Sequence, residues 1–587
     1  MLSSPRMPLC PCRSSRRLVI VCAILLASAA CGRPQPPAGK GGTAADPFDA
    51  SLRQVLQSAR RPAFVTHDKE GTGLWQQTRT FYEKRQFAPA WIEDGAPRKR
   101  MDALISALRA ADREGIDPEV YGVGLLEQRR KEAGSGILSR KGFQPETAAT
   151  MDVWLTYLYL KFASDLADGV SDLAHADPAW LIAPDRFNPL DHLETALREN
   201  RIAESLGELT PADDEYQRLR KALAEYRAVA AGGGWPKVPT LKLKPGQTSP
   251  ATRMLALRLA ATGDFPGPAP AADRPALYDK QLQEAVKKFQ RRHGLTDDGV
   301  VGPSMVAELN VPVDARIRQI ELNMERWRWL PRDLGNPHIL VNIPQMRLDV
   351  REHGNVPLSM RVVVGKEDTP TPIFNHRMTY LVFAPYWNVP DDIAQNETLP
   401  AVMKDPGFLE RSDMEVVDTH GKPVDPKSID LDKPDKYRFR QRPGTSNSLG
   451  LVKFMFPNEF NVYLHDTPAD SLFARASRSL SHGCVRLEQP EKLAEYVLRD
   501  QPEWTPDHIS EAMHAGSEEV VKLKTPIPVY LGYWTARAAP DGTLEFRKDV
   551  YGIDARQSVK LAERVERLKD STKAAAAKVT TPVVAAR

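Results

Sequence analysis

The sequence predicts a multidomain α+β protein: a helical N-terminal scaffold domain, a small three-helix domain, and a mostly β, sandwich-like domain with a lid insertion. Three observations predict it. Met151 to Leu166 is apolar nearly all round the helical period, as in a buried central helix. Leu282, Ala285, Val286 and Phe289 recur at i, i+3, i+4 and i+7, the stripe of an amphipathic helix. From His338 the period becomes two, with Ile339, Val341 and Ile343 on one face, as in half-buried strands. The 587 residues allow three or four domains.

Residues 1–31 read as an export signal. Arg6, Arg13, Arg16 and Arg17 precede the apolar run Leu18 to Ala30, which is short for a bilayer span. Ser28, Ala29 and Ala30 then lead to Cys31. This resembles a bacterial lipoprotein cleavage site, although Ser28 stands where such sites usually carry Leu. The expectation is a lipid anchor on Cys31 and a periplasmic location in a Gram-negative bacterium, with cleavage to a soluble periplasmic protein and a retained membrane anchor as the alternatives. Residues 32–72, rich in Pro, Gly and Ala, read as a linker. Residues 73–230 form the helical scaffold, where Asp152, Lys161 and Asp165 argue against a membrane span. Ala230 to Pro250 is a breaker-rich boundary, and 249–310 is the three-helix domain. The β domain is expected over 338–536. Its hairpin signal is Glu352-His353-Gly354-Asn355, and further strands are expected over Met378 to Phe383, Asn461 to Leu464 and Val529 to Tyr533. Residues 391–448 interrupt it with Pro, Asp and Lys, as a lid or binding loop would. Residues 537–587 carry a last strand, a polar helix and a disordered tail.

The formal net charge of +4 and the absence of a Lys/Arg cluster exclude a nucleic-acid binder. No nucleotide loop and no zinc spacing are present, so no cofactor and no metal is expected. Of five cysteines, Cys10, Cys12, Cys22 and Cys31 lie in or beside the export segment. Cys484 is left alone in Ser481-His482-Gly483-Cys484, with His465 upstream. An exported chain that keeps one unpaired thiol near two histidines points to a nucleophile. A thiol near pKa ~8.5 is mostly protonated at neutral pH and needs a base. Either His465 or His482 could serve. The backbone N–H groups of Gly483 and Cys484 are oxyanion candidates. Tyr463, two residues before His465, projects to the same strand face.

Leu282, Ala285, Val286, Phe289, Gln290, Gly294, Leu295, Asp298, Gly299 and Gly302 resemble the three-helix peptidoglycan-binding domain. The order His465, a spacer, then Ser481-His482-Gly483-Cys484 resembles the signature of L,D-transpeptidases with a YkuD-type catalytic domain. Thr369-Pro370-Thr371-Pro372 and Trp387-Asn388-Val389-Pro390 resemble the large, three-part periplasmic (YcbB-type) members. That resemblance implies Cys484 as nucleophile, His465 as base and later acid, and His482 in support. It implies substrate contacts from Tyr463, Ser481, Arg486 and Trp387. Many relatives carry Asn where this chain has Arg486, a guanidinium suited to a substrate carboxylate. The implied partners are peptidoglycan stem peptides and glycan strands, with carbapenem-type inhibitors acylating the thiol. The implied activity is 3→3 cross-linking between diaminopimelate residues.

Other readings are an L,D-carboxypeptidase, a protein-to-wall anchoring enzyme, and an inactive wall-binding scaffold. A zinc site lacks a fourth ligand, papain-like enzymes place Cys before His, and Ser481 is a poorer nucleophile than its thiol neighbour. His293, His338, His353, His376 and His420 sit in turn-like or polar contexts and are expected to be solvated.

Overall fold

The computed structural model describes residues 47–579, apart from 94–95, 135–141, 171–178, 241, 268–275, 406, 426–427 and 429–435. The export segment, Cys31 and the first part of the expected linker lie outside the described residues. The rest of that linker is folded. Helix Pro47–Gln57 buries Phe48, Leu52 and Leu56 in the scaffold core, so order begins earlier than composition suggested.

The scaffold is built round α1 (Pro145–Asp168), with aromatic and aliphatic side chains buried on all sides. Its polar residues are buried with partners. Asp152 accepts N–H bonds from Ala90, Trp91 and Ile92, each at 2.8 Å, and a hydroxyl bond from Tyr82. Lys161 pairs with Asp165 at 2.5 Å and Glu70 at 3.0 Å. These pairings make charge tolerable in a dry helix. Among the described residues no helix is long and apolar enough to cross a membrane. The scaffold continues to α2 (Asp214–Ala231).

The three-helix domain has its own core, in which Leu282, Ala285, Val286 and Phe289 of α3 (Lys280–Arg292) meet Leu255, Leu259 and Leu309. Gln290 ties the following turn by bonding Asp298 and the Gly299 amide, each at 2.9 Å. His293 is buried, contrary to the solvated reading. It stacks on Phe289 and on Phe546 of the β domain, and its surroundings hold the ring neutral. His338 is half-buried. α4 (Val313–Arg328) then leads into the β domain.

In chain order the strands are β1 (His338–Asn342), β2 (Arg347–Glu352), β3 (Asn355–Gly365), β4 (Phe374–Phe383), β5 (Trp387–Asn388), β6 (Met414–Asp418), β7 (Pro423–Val424), β8 (Tyr437–Gln441), β9 (Val452–Met455), β10 (Leu464–His465), β11 (Ser479–Ser481), β12 (Val485–Leu487) and β13 (Glu519–Gly532). The main sheet has nine strands in the order β11-β3-β12-β10-β9-β4-β13-β1-β2, and β2 also pairs with β3. The layers therefore come from one sheet closing on itself. The β2–β3 hairpin turns at His353 (φ 48°) and Gly354 (φ 76°), two positive-φ residues as a two-residue hairpin demands. The expected strand from Asn461 is shorter in fact. The Asn458 side chain accepts from Phe460 and Val462, and Asn461 has φ 53°, so the chain turns and pairing begins only at Leu464.

The insertion carries a four-stranded sheet, β7-β6-β8-β5. It has its own small core of Val389, Leu409, Met414, Val416 and Phe439. The main sheet's covered face is closed by α5 (Pro490–Leu498) and α6 (Pro506–His514). α7 (Ile553–Val579) returns to the scaffold, where Leu568 is buried and Lys569 pairs with Asp117 at 2.7 Å.

Candidate active site

β10 and β12 run parallel, with Leu464 opposite Val485 and His465 opposite Arg486. Leu464 and Val485 are fully buried on the covered face. Alternation therefore puts Tyr463, His465, Cys484 and Arg486 together on the other face. The Tyr463 and His465 rings meet edge-on with centroids 5.7 Å apart. The register thus assembles four of the expected residues.

The Cys484 thiol is half-buried and lies 3.8 Å from the Asn461 carbonyl. Burial pushes it up to about 11, opposed by hydrogen bonds from Tyr463 and the charge of Arg486. The Tyr463 hydroxyl is itself raised, by burial first and then by Cys484. His465 is buried, and its Nδ1–H donates to the Asp466 carbonyl at 2.5 Å. Burial, then the Arg486 charge, lowers the imidazole to about 3. Among the described residues no hydrogen bond joins His465 to Cys484. The resting pair is a neutral thiol and a neutral imidazole. Arg486 is half-buried, with Nε lacking a partner.

The loop before the nucleophile is braced from within. Ser481 is buried, its hydroxyl donating to the Cys484 carbonyl at 2.6 Å and accepting the Gly483 amide at 3.1 Å. The Gly483 amide is thereby engaged, whereas Cys484 N–H makes no hydrogen bond among the described residues. Gly483 has φ +112°, while an added Cβ would stand 3.6 Å from Pro370 O. Conformation, not crowding, calls for glycine there. Thr371 Oγ1 donates to the Gly483 carbonyl at 2.7 Å and accepts from Gly365 N at 2.9 Å. Tyr551 Oη reaches Gly365 O at 2.7 Å. His482 turns away from this loop. Its Nε2 meets Glu397 Oε1 at 2.8 Å, in a π-helical turn of the insertion, Ala394–Thr398. Trp387 sits on β5 and packs on the insertion's core. Asp466 holds the turn after His465, accepting from Leu451 N and Thr467 N, each at 2.7 Å. Gly450 (φ +61°) passes so close to Asp466 that a Cβ would clash at 2.3 Å.

Thr371, Tyr551, Glu397 and Asp466 were not singled out as site residues. Their partners are 186 positions away at most, and no local pattern links them. The Thr-Pro-Thr-Pro run was the one available signal.

Residues 336–529 match the L,D-transpeptidase catalytic domain family. The catalytic domain belongs to the YkuD family of L,D-transpeptidases. Residues 248–309 match the family described as "Putative peptidoglycan binding domain", and 76–223 match the scaffold domain. A Haemophilus influenzae protein described as "Putative L,D-transpeptidase" is 34% identical over 249 residues, 42% of this chain and 50% of that one. The chain thus matches about half the length of this relative. Among solved structures, an L,D-transpeptidase from Xylanimonas cellulosilytica is 18% identical over 50% of this chain and 99% of that one, with a TM-score of 0.17. One from Mycobacterium smegmatis is 16% identical over 33% and 58%, with a TM-score of 0.16. Superpositions that poor carry no argument. The L,D-transpeptidase domain rests on the family match.

Proposed function

We propose that this chain is a peptidoglycan L,D-transpeptidase forming 3→3 cross-links through a Cys484 thioester. The observation that carries the reading is the parallel β10–β12 register, with Tyr463, His465, Cys484 and Arg486 on one face of the sheet. Cys484 Sγ attacks the carbonyl of the third stem residue and gives its proton to His465. Cys484 N–H receives the oxyanion. The C–N bond to the terminal D-Ala breaks as His465 returns that proton to the leaving amine. The side-chain amine of a second stem then attacks the thioester, loses its proton to His465, and the thiol re-forms.

The neutral resting pair fits this order of events. The Arg486 charge is the second cause of the lowered imidazole. A donor carboxylate on Arg486 would offset that charge and make His465 a better base when substrate is present. Ser481 and Gly483 hold the loop, and His482 links it to the insertion, which would keep water from the thioester. Carbapenems would acylate the same thiol. The substrate lies outside the cytoplasm, so the reading includes export through residues 1–31 and lipidation of Cys31.

Intact-mass analysis with tetrapeptide muropeptides tests the proposal. Wild-type protein should gain a tripeptide acyl adduct and yield cross-linked dimers, and Cys484→Ala should do neither. Tripeptide without dimer would mean transfer to water, hence an L,D-carboxypeptidase. Cross-linking by Cys484→Ala would reject the mechanism.

A further inference from the structure

That face of the sheet continues past the thiol. Lys453 on β9 lies opposite His465, and Arg486 lies opposite His465 on the other side. One row of side chains therefore runs Arg486, His465, Lys453 across three strands. It continues to Val382 on β4 and Val520 on β13. Val520 is 57% exposed, so the far end of the row is open. Two residues before Val520, Glu518 accepts from Tyr386 N at 3.0 Å.

Lys453 is half-buried. It makes no hydrogen bond or ion pair among the described residues; Glu518 reaches it only through its field. Arg486 has no acidic partner either. Burial lowers both cations. A partly desolvated cation without a counter-ion is unfavourable unless a ligand supplies the opposite charge. Elsewhere in the β domain, buried cations are hydrogen-bonded: Arg478 donates to the carbonyls of Val362, Arg475 and Met346. Arg351 and Arg537 both pair with Glu215 at 2.8 Å. Lys453 and Arg486, which have no ion pair among the described residues, share a face with Cys484.

We propose that Lys453 binds a second carboxylate of the acyl-donor peptide, across the row from the carboxylate held by Arg486. Two strand spacings separate the two positions, about 10 Å, which is the reach of roughly three extended residues. The site therefore reads a peptide carrying two anionic groups at that spacing, and the apolar floor of Val382 and Val520 receives the aliphatic part beyond Lys453. This inference rests on the acyl-transfer reading above and adds to it the feature that selects the donor.

The experiment measures acyl-enzyme formation by mass with a panel of tetrapeptide donors, each with one carboxylate amidated. Wild type, Lys453→Met and Lys453→Arg are compared, with melting curves confirming that all three fold. Lys453→Met should raise KM tenfold or more for the free-acid donor and leave kcat within about twofold. Lys453→Arg should restore most of the affinity. One amidation should weaken wild type yet leave Lys453→Met unaffected, which identifies the carboxylate. An unchanged KM in a folded Lys453→Met, with wild type still forming acyl-enzyme, would overturn this inference alone. Wild type forming no acyl-enzyme would overturn the transpeptidase reading, and this inference with it.

Discussion

Cys484 and His465, the pair proposed to react, are both held neutral by burial. Burial raises the thiol to about 11 and lowers the imidazole to about 3. Alkylation of Cys484 by iodoacetamide should therefore climb about tenfold per pH unit from pH 7 to 10. A plateau beginning between pH 6 and 8 would instead reveal a thiolate–imidazolium pair. The same burial affects stability. His465 has a folded pKa near 3 against an unfolded value of ~6.5, so the unfolded chain binds the extra proton. Its contribution is fully present above pH ~6.5 and is lost as pH falls toward 3. His465→Gln should flatten the acid side of the melting-temperature profile between those limits, as scanning calorimetry can read.

At the scale of elements, strand pairing brings the reactive groups together and the insertion is attached to them by a weak tie. The insertion has its own core, and His482 to Glu397 at 2.8 Å is its link to the nucleophile loop. Both side chains are solvent-accessible, 32% and 56%, and such pairs contribute about 0–1 kcal/mol. A tie of that size is weak enough for a single substitution to break. Glu397→Gln should loosen it and let water compete, raising the hydrolysed tripeptide about two- to fivefold relative to dimer. Product ratios by chromatography check this, and an unchanged ratio would remove Glu397 from the reaction. Thr371 and Tyr551 fix the loop from the other side by buried hydrogen bonds through Gly365 and Gly483.

For the whole molecule, the scaffold and the β domain are joined through buried charge as well as apolar surface. Glu215 of α2 is buried and accepts from both Arg351 and Arg537, and two guanidinium groups hold it down at about 2. Glu215→Gln leaves two desolvated cations under-compensated and should cost about 3–5 kcal/mol. Urea unfolding should show the loss, and a value under 1 kcal/mol would mean that the cations find other partners. α7 adds a second connection from the C-terminal side, through Leu568 and the Lys569–Asp117 pair.

Local patterns in the sequence determined the buried helix α1, the β2–β3 hairpin, the stripe of α3 and the Ser481-to-Cys484 loop. Each rests on a period of 3.6 or 2, or on a contiguous motif, and such signals survive without knowledge of the rest of the chain. Tertiary structure decided what depends on pairing between distant segments. Composition placed a linker where helix Pro47–Gln57 packs, because the helix's few apolar residues matter only against α1. His293 looked solvated in its turn, yet Phe546 from another domain covers it. His482 turned to the insertion, and Ser481 with the Gly483 amide turned inward. Lys453 entered the site through the β9–β10 register alone. Register depends on which strands meet, and a one-residue slip would send every one of these side chains to the opposite face.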